Sequence, residues 1–147
     1  MTDDDKVNEL YTLLGRVAVH AAYLEFAFGA VLVRFKGEDP LRSTLAADDA
    51  TKVMRNLRAE VVESGRVSTE QLRLLDRILN RARTAFDSRN DFVHGQWIHF
   101  DEGLWVERIR RDGSWMSQAP DAAKLRSLGD EFERLEREMV DWLGFVE

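Results

Sequence analysis

The sequence lacks cysteine altogether, so it can form neither a disulfide framework nor a thiolate metal site. It also lacks a phosphate-binding glycine loop, a nucleophile elbow and a carboxylate-rich metal cluster. Without these motifs we expect neither a cofactor nor a bound metal ion. Only two prolines are present, both near inferred element boundaries, and no repeat, low-complexity run or linker divides the chain.

The longest apolar segment, Val17 to Val33, is interrupted only by His20 and Glu25. A membrane-spanning helix needs about 20 residues, and a carboxylate at its centre is costly in lipid. We therefore expect a buried core helix here and no membrane insertion. The acidic start, Met1 to Lys6, is unlike the basic start of a signal peptide, and it favours a cytoplasmic location together with the missing cysteine.

The composition is that of an ordinary globular domain. With 147 residues, 44% hydrophobic and 33% charged, the chain is predicted to form one domain spanning residues 1–147. A net charge of −6 argues against a general nucleic-acid binder. The charge is uneven, however, because nine arginines and seven acids lie between Arg66 and Arg111. This mildly basic centre could face an anion, or it could be a solvated helix face.

Apolar residues at helical spacing predict four helices, of which the first two occupy the N-terminal half. The first runs from about Asp5 to Phe35 and is apolar nearly all round, so it should be central or shared with a second subunit. A break follows at Gly37–Pro40, where Pro40 can open a short turn. The second helix runs from about Asp48 to Glu63, and Gly65 stops it.

The third and fourth helices have the clearest start signals. A capping box of Ser68 and Gln71 opens the third helix, which is predicted to end at Gly95. The fourth begins near Pro120 and Asp121. The predicted buried positions of the third helix are Leu72, Leu75, Leu79, Ala82, Phe86 and Val93, and those of the fourth are Leu125, Leu128, Phe132, Leu135, Met139, Trp142 and Val146.

Between these two helices, from about Trp97 to Met116, the sequence becomes aromatic-rich and alternating. Turn signals at residues 101–103 and 112–114 predict a small antiparallel hairpin or meander. Trp97, Trp105 and Trp115 could stack on nucleic-acid bases, but packing of the hairpin on the bundle is the favoured explanation. The predicted fold is mainly α, a four-helix up-and-down bundle with this small antiparallel β-hairpin or meander before the last helix.

The candidate functional residues lie at the end of the third helix. At 100° per residue, Arg89 falls inside the apolar arc, where a guanidinium needs a counter-charge or a phosphate. Asn90 and His94 are four residues apart and share a face at the edge of that arc. Asp87 and Arg83 lie on the same face, nearer the N-terminus of the helix. The long side chain of Arg89 could bring its guanidinium towards the imidazole of His94.

The sequence Arg89-Asn90-x-x-x-His94, at the end of a long helix, resembles the signature of HEPN domains. Gly95, the Leu24–Glu25 pair and the strand-like segment before the last helix are similar to uncharacterised bacterial relatives of that group. The resemblance in layout extends over about the whole chain. HEPN domains are compact helical bundles, many of them RNases of toxin–antitoxin, abortive-infection and RNA-processing systems. The resemblance also implies a homodimer whose motifs meet in a cleft.

These residues suit metal-independent RNA cleavage. His94 could take the proton from a ribose 2′-hydroxyl, and Arg89 could stabilise the phosphorane with a two-pronged contact. Asn90 would orient the histidine or hold a phosphate oxygen. Since one protomer supplies one histidine at this motif, the acid and the base would come from two subunits. The supporting residues are predicted to be Glu25, Asp87 and Arg83. The leading hypothesis is a HEPN-like, metal-independent endoribonuclease or RNA-binding domain, a component of a toxin system or of phage defence.

Two other interpretations stay open. Arg89 could simply pair with Glu25, at the edge of the first helix's apolar stripe, while His94 lies favourably at the helix C-terminus. The chain would then be a non-catalytic dimeric helical module that binds a protein partner, such as an antitoxin. It could also be an unrelated helical protein in which the motif is accidental.

Overall fold

The computed structural model describes residues 2–39, 49–101 and 103–146, and these form four helices and one three-stranded antiparallel sheet. In chain order the elements are α1 (Asp3–Lys36), α2 (Ala50–Ser64), α3 (Thr69–Val93), β1 (Gln96–Phe100), β2 (Gly103–Ile109), β3 (Trp115–Gln118) and α4 (Ala122–Val146). The mainly α fold with a β element before the last helix is therefore confirmed. The turn expected at Pro40 and the helix start expected at Asp48 lie outside the described residues.

Local hydrogen bonds set the helix ends close to where the sequence places them. Thr2 and Asp5 form a capping box at the start of α1. Ser68 and Gln71 form the expected capping box of α3, because each side chain accepts a hydrogen bond from the other residue's backbone N–H. Gly65 ends α2 with a φ of 65°, a left-handed conformation that glycine adopts without strain.

Successive helices do not all alternate in direction, as they would in an up-and-down bundle. Arg16 pairs with Asp130, and the later His20 pairs with the later Glu133, so α1 and α4 run in the same direction. Contacts along α3 show that it runs opposite to both. A short connection makes α2 antiparallel to α3. Three helices therefore share one direction, and α3 alone runs the other way.

Helix α1 lies at the centre of the bundle and packs against the other three helices. Its buried side chains join those of α2, α3 and α4, together with Val106 and Met116 of the sheet, in one hydrophobic core. The positions predicted to be buried on α4 from Leu125 to Trp142 are buried, as are Leu75, Leu79, Ala82 and Phe86 of α3.

The last turn of α3 differs from the prediction. The helix ends at Val93 with His94 as its C-cap, so the expected end at Gly95 is wrong. Val93 is 40% exposed, whereas Phe92 is only 1% exposed, so the predicted burial of Val93 is wrong as well. The reason is that the sheet and the start of α4 cover this turn. The indole Nε1 of Trp97 donates to the carbonyl of Phe92, and Lys124 lies over the Phe92 ring.

By length and composition, α1 could cross a membrane, but that test is also passed by core helices of soluble proteins. In this structure 44% of its most apolar window is buried inside the bundle. Among the residues buried on α1 are Val17, Ala21, Leu24 and Phe28, which fall within the segment expected to form a core helix.

The sheet has the order β1-β2-β3, with both pairs antiparallel, so the predicted meander is confirmed. Side chains alternate between its two faces. The face turned to the bundle carries Val106, which is fully buried, and Trp97, which is half-buried. The opposite face, called here the outer face, carries five apolar residues: Ile98, Phe100, Trp105, Ile109 and Trp115.

We expect Gly95→Ala to destabilise the fold. A Cβ at Gly95 would lie 2.5 Å from Cγ1 of Val106 and closer still to the carbonyl oxygen of Asp91. The Val106 side chain is held by packing, and the Asp91 carbonyl belongs to the backbone. The two close contacts can therefore be relieved only if the sheet moves away from α3. The free energy of unfolding should fall by about 2 kcal/mol or more, measured by urea denaturation.

Gly144→Ala on α4 is the matched control, because nothing lies within 4 Å of the added Cβ. Alanine favours helix over glycine, so this variant should be as stable as the wild type or slightly more stable. Equal stability of the two variants would show that the close contact at Gly95 does not constrain the fold.

Candidate functional site

Arg89 is held in place by three contacts near the end of α3. Its Nη1 donates to Oε1 of Glu25 at 2.5 Å, while Nε and Nη2 donate to Oδ1 of Asn90 at 3.1 and 2.7 Å. The guanidinium also lies over the ring of Phe86, 5.1 Å from its centroid. The side chain is 19% exposed, and Glu25 supplies the counter-charge that such burial requires. Two of the five guanidinium N–H groups have no hydrogen bond to the residues described.

The side chain of Asn90 contacts the arginine and not the histidine. Its Oδ1 accepts both hydrogen bonds from Arg89, and no hydrogen bond joins its side chain to His94 within the described part of the chain. Only the backbone links the two residues, since the N–H of His94 donates to the carbonyl of Asn90 at 3.0 Å. Asn90 therefore positions Arg89, a different role from the one expected from the sequence.

His94 is exposed at the C-terminus of α3. Its imidazole forms no hydrogen bond or ion pair with residues 2–39, 49–101 or 103–146. The ring is therefore accessible to a ligand and is not committed to the fold.

A groove of about 830 Å³ brings the candidate residues together. The start of α2, the second half of α3 and the end of β2 form its walls. Five arginines, four aspartates and one histidine line it: Arg83, Arg89, Arg108, Arg110, Arg111, Asp49, Asp87, Asp91, Asp112 and His94. Asn90 also lines it, whereas Glu25 stands behind Arg89. The structure thus places Arg89, Asn90, His94, Arg83 and Asp87 on one concave surface.

Asp91 connects the end of α3 to β2 and to the turn that follows. One of its oxygens, Oδ1, accepts from Arg108 and Arg110 at 3.1 Å each, and Oδ2 accepts from Arg110 at 2.8 Å. The hydrogen bond from Arg110 and the charges of both arginines hold the pKa of Asp91 below its usual value, although partial burial opposes this. Arg108 and Arg110 share a face because they are two residues apart on an extended chain.

Sequence reasoning missed six of the charged residues that line the groove: Asp49, Asp91, Arg108, Arg110, Arg111 and Asp112. Asp91 falls in an undefined position of the motif, and the three arginines lie about twenty residues later. The available signal was the sequence Arg-Ile-Arg-Arg at the end of a predicted strand, within the mildly basic centre of the chain. Nothing in it specifies which helix the strand meets.

The charged side chains offer no metal site within the described part of the chain. No three His, Cys, Asp or Glu side chains gather closely enough there to hold a metal ion. His20 instead lies between two glutamates of α4, with Nε2 3.1 Å from Glu133 and Nδ1 3.9 Å from Glu136. Its Nδ1 is buried without a hydrogen-bond partner.

No protein-family model matches the chain, and neither a curated protein nor a solved structure matches it. The HEPN-like assignment therefore stays a prediction.

Asp91→Asn should lower the free energy of unfolding at neutral pH by about 1–2 kcal/mol, because an amide cannot replace the charge that holds two arginines. A depressed carboxyl pKa stabilises the fold above about pH 4, and this contribution is lost as the pH falls through the folded-state pKa. The difference between wild type and variant should therefore shrink below about pH 4. Urea denaturation at pH 7 and pH 3 measures it, and a difference that is constant with pH contradicts the ion-pair explanation.

Proposed function

We propose that the groove binds RNA and cleaves it, and that the chain acts as a HEPN-like, metal-independent endoribonuclease in the cytoplasm, in a toxin system or in phage defence. The observation that carries the proposal is the joint placement of Arg89, Asn90 and His94 on one groove whose lining contains more arginines than aspartates. A groove of this charge attracts phosphates even though the net charge of the chain is −6.

The proposed reaction is transfer of the phosphoryl group within the RNA strand. The imidazole of His94 takes the proton of the ribose 2′-hydroxyl, whose oxygen then attacks the adjacent phosphorus. The bond to the 5′-oxygen breaks, and that oxygen receives a proton, which leaves a 2′,3′-cyclic phosphate and a free 5′-hydroxyl. Arg89 stabilises the charge of the phosphorane with its two unpaired N–H groups. Glu25 and Asn90 hold the guanidinium in place for this contact.

The proton that the leaving 5′-oxygen receives would come from His94 of a second copy of the chain. The exposed surface of α1 between Tyr11 and Ala30, called here the α1 stripe, carries no charged residue: Tyr11, Thr12, Gly15, Ala18, Val19, Ala22, Tyr23, Phe26 and Ala30. Phe26 is 74% exposed, and several small residues allow close approach of another helix. Ala22 and Phe26 flank Glu25, the partner of Arg89, so a subunit on the stripe would border the candidate site.

A non-catalytic dimeric module that binds a protein partner is the second candidate function. The observation that favours it is the ion pair of Arg89 with Glu25, which already neutralises the guanidinium without any ligand. In that case the motif stabilises the bundle, and the exposed apolar residues bind protein. If the motif is accidental, the protein should neither bind nor cleave RNA.

His94→Ala should lower the rate of RNA cleavage by about 10²- to 10⁴-fold, the usual effect of losing a general acid or base. The melting temperature should stay nearly unchanged, because the imidazole is exposed and forms no hydrogen bond with the described residues. The measurement is cleavage of total RNA by the purified protein, with and without EDTA, together with a melting curve.

His99→Ala is the matched control, since His99 is also exposed but lies on β1 and does not line the groove. It should cleave like the wild type. Activity in His94→Ala equal to that of this control contradicts the catalytic role. A wild type that neither cleaves nor binds RNA leaves the protein-binding module as the better explanation.

Phe26→Lys should convert a homodimer into a monomer, because two copies would bring unpaired charges into an apolar interface. Light scattering should give about twice 17.0 kDa for the wild type and about 17.0 kDa for the variant. Phe145→Lys is the control, because Phe145 is 71% exposed on α4 and lies away from the α1 stripe. A wild-type particle of 17.0 kDa at tens of micromolar contradicts the dimer.

A further inference from the structure

The β2–β3 hairpin ends in a tight turn beside the groove. The N–H of Arg110 donates to the carbonyl of Ser114, and the N–H of Gly113 donates to the carbonyl of Arg110. Gly113 has a φ of 85°, which a residue with a side chain adopts only with strain. This closes a three-residue loop of Arg111, Asp112 and Gly113, called here the hairpin tip.

Arg111 is the groove-lining arginine at this tip, and it forms no ion pair with the rest of the described chain. The two preceding arginines already have a carboxylate partner, because Arg108 and Arg110 both form ion pairs with Asp91. An exposed guanidinium without a carboxylate partner keeps its full attraction for a phosphate. Arg111 therefore extends the anion-binding lining of the groove as far as the hairpin tip.

Trp115 follows the turn and is 64% exposed on the outer face, beside the equally exposed Ile109 with which it pairs. The other two tryptophans of the sheet are at least half-buried, and Trp97 also donates its indole N–H to the Phe92 carbonyl. Packing on the bundle therefore explains Trp97, as expected from the sequence, but it does not explain Trp115 on the outer face.

Hydrogen bonds connect the start of the tip to α3. Arg110 is bonded through two nitrogens to both oxygens of Asp91, and Arg108, two residues earlier, adds one more hydrogen bond to the same carboxylate. Arg111 follows Arg110 directly, and Trp115 is the first residue of β3.

We propose that the hairpin tip is a second nucleotide-binding subsite, in which Arg111 binds a phosphate and Trp115 stacks on the base of a single-stranded nucleic acid that leaves the groove over the tip. This inference rests on the proposed function. The guanidinium of Arg111, unpaired in the described part of the chain, and its continuity with the groove favour a nucleic acid over a protein as the occupant. A paired strand could not present an unstacked base to an indole, so the subsite selects single strands.

The test is binding of a fluorescent 2′-O-methyl oligoribonucleotide of about 12 nucleotides, which lacks the hydroxyl needed for cleavage, measured by anisotropy. Trp115→Ala should weaken binding at least about five-fold, and Trp115→Phe should retain most of the affinity, because a phenyl ring also stacks. Arg111→Ala should lower the slope of log affinity against log salt by about 0.7. Trp115→Ala should leave the binding of a trinucleotide unchanged, because a trinucleotide fills the groove alone and Trp115 does not line the groove.

Phe145→Ala and Arg137→Ala are the matched controls, since both residues are exposed on α4 away from the groove. They should bind the long oligonucleotide like the wild type. Wild-type affinity in both Trp115→Ala and Arg111→Ala overturns the subsite, leaves the groove proposal standing and assigns Trp115 to a protein contact. A wild type that binds neither oligonucleotide overturns the proposed function and the subsite together.

Discussion

The junction between the end of α3 and strand β2 determines where the charged walls of the groove lie. Gly95 has no side chain, and this lets the strand approach until Val106 packs against the helix end. Asp91 then compensates the charge of Arg108 and Arg110 at the same place. This ion-pair contact adds to the two other connections between the sheet and α3, which are the apolar packing of Val106 and the hydrogen bond from Trp97 to the Phe92 carbonyl.

Charge pairing within the groove decides which cations can act on a ligand. Glu25 and Asp91 form ion pairs with three of the five arginines that line the groove. Asn90 also orients one of these three, Arg89, by accepting two hydrogen bonds from it. Arg83 bonds only to the neutral Asn80, so its charge is not compensated by a carboxylate of the described chain. The charge of Arg111 likewise is not compensated by a carboxylate of the described chain. The groove is therefore only mildly basic in total, but its uncompensated positive charge is concentrated in two side chains, Arg83 and Arg111.

The helices were predictable because each is encoded locally. The spacing of apolar residues, the capping box of Ser68 and Gln71 and the glycine after α2 are read within a few positions of the chain. The contact of Arg89 with Glu25 also followed from the sequence, because a guanidinium in an apolar arc needs a carboxylate from a neighbouring helix.

What the sequence could not provide depends on contacts between distant elements. Phe92, not Val93, is buried because the sheet and α4 cover the last turn of α3 from a side that periodicity cannot foresee. The partner of Asn90 was missed because a short amide reaches either the arginine beside it or the histidine one turn later, and the choice depends on where Glu25 holds the guanidinium. Arg108 and Arg110 are held at the groove by Asp91, a residue far from them in the sequence.

The two exposed apolar surfaces, the α1 stripe and the outer face of the sheet, need not bind the same partner. Trp97, on the bundle side of the sheet, contacts Tyr11 at the start of the α1 stripe, with 5.7 Å between ring centroids. Trp115 lies on the opposite face of the sheet. A second subunit on the stripe would border Glu25 and Arg89 while it leaves the hairpin tip exposed. The fold thus allows a dimer on one side of the groove and a separate ligand contact on the other.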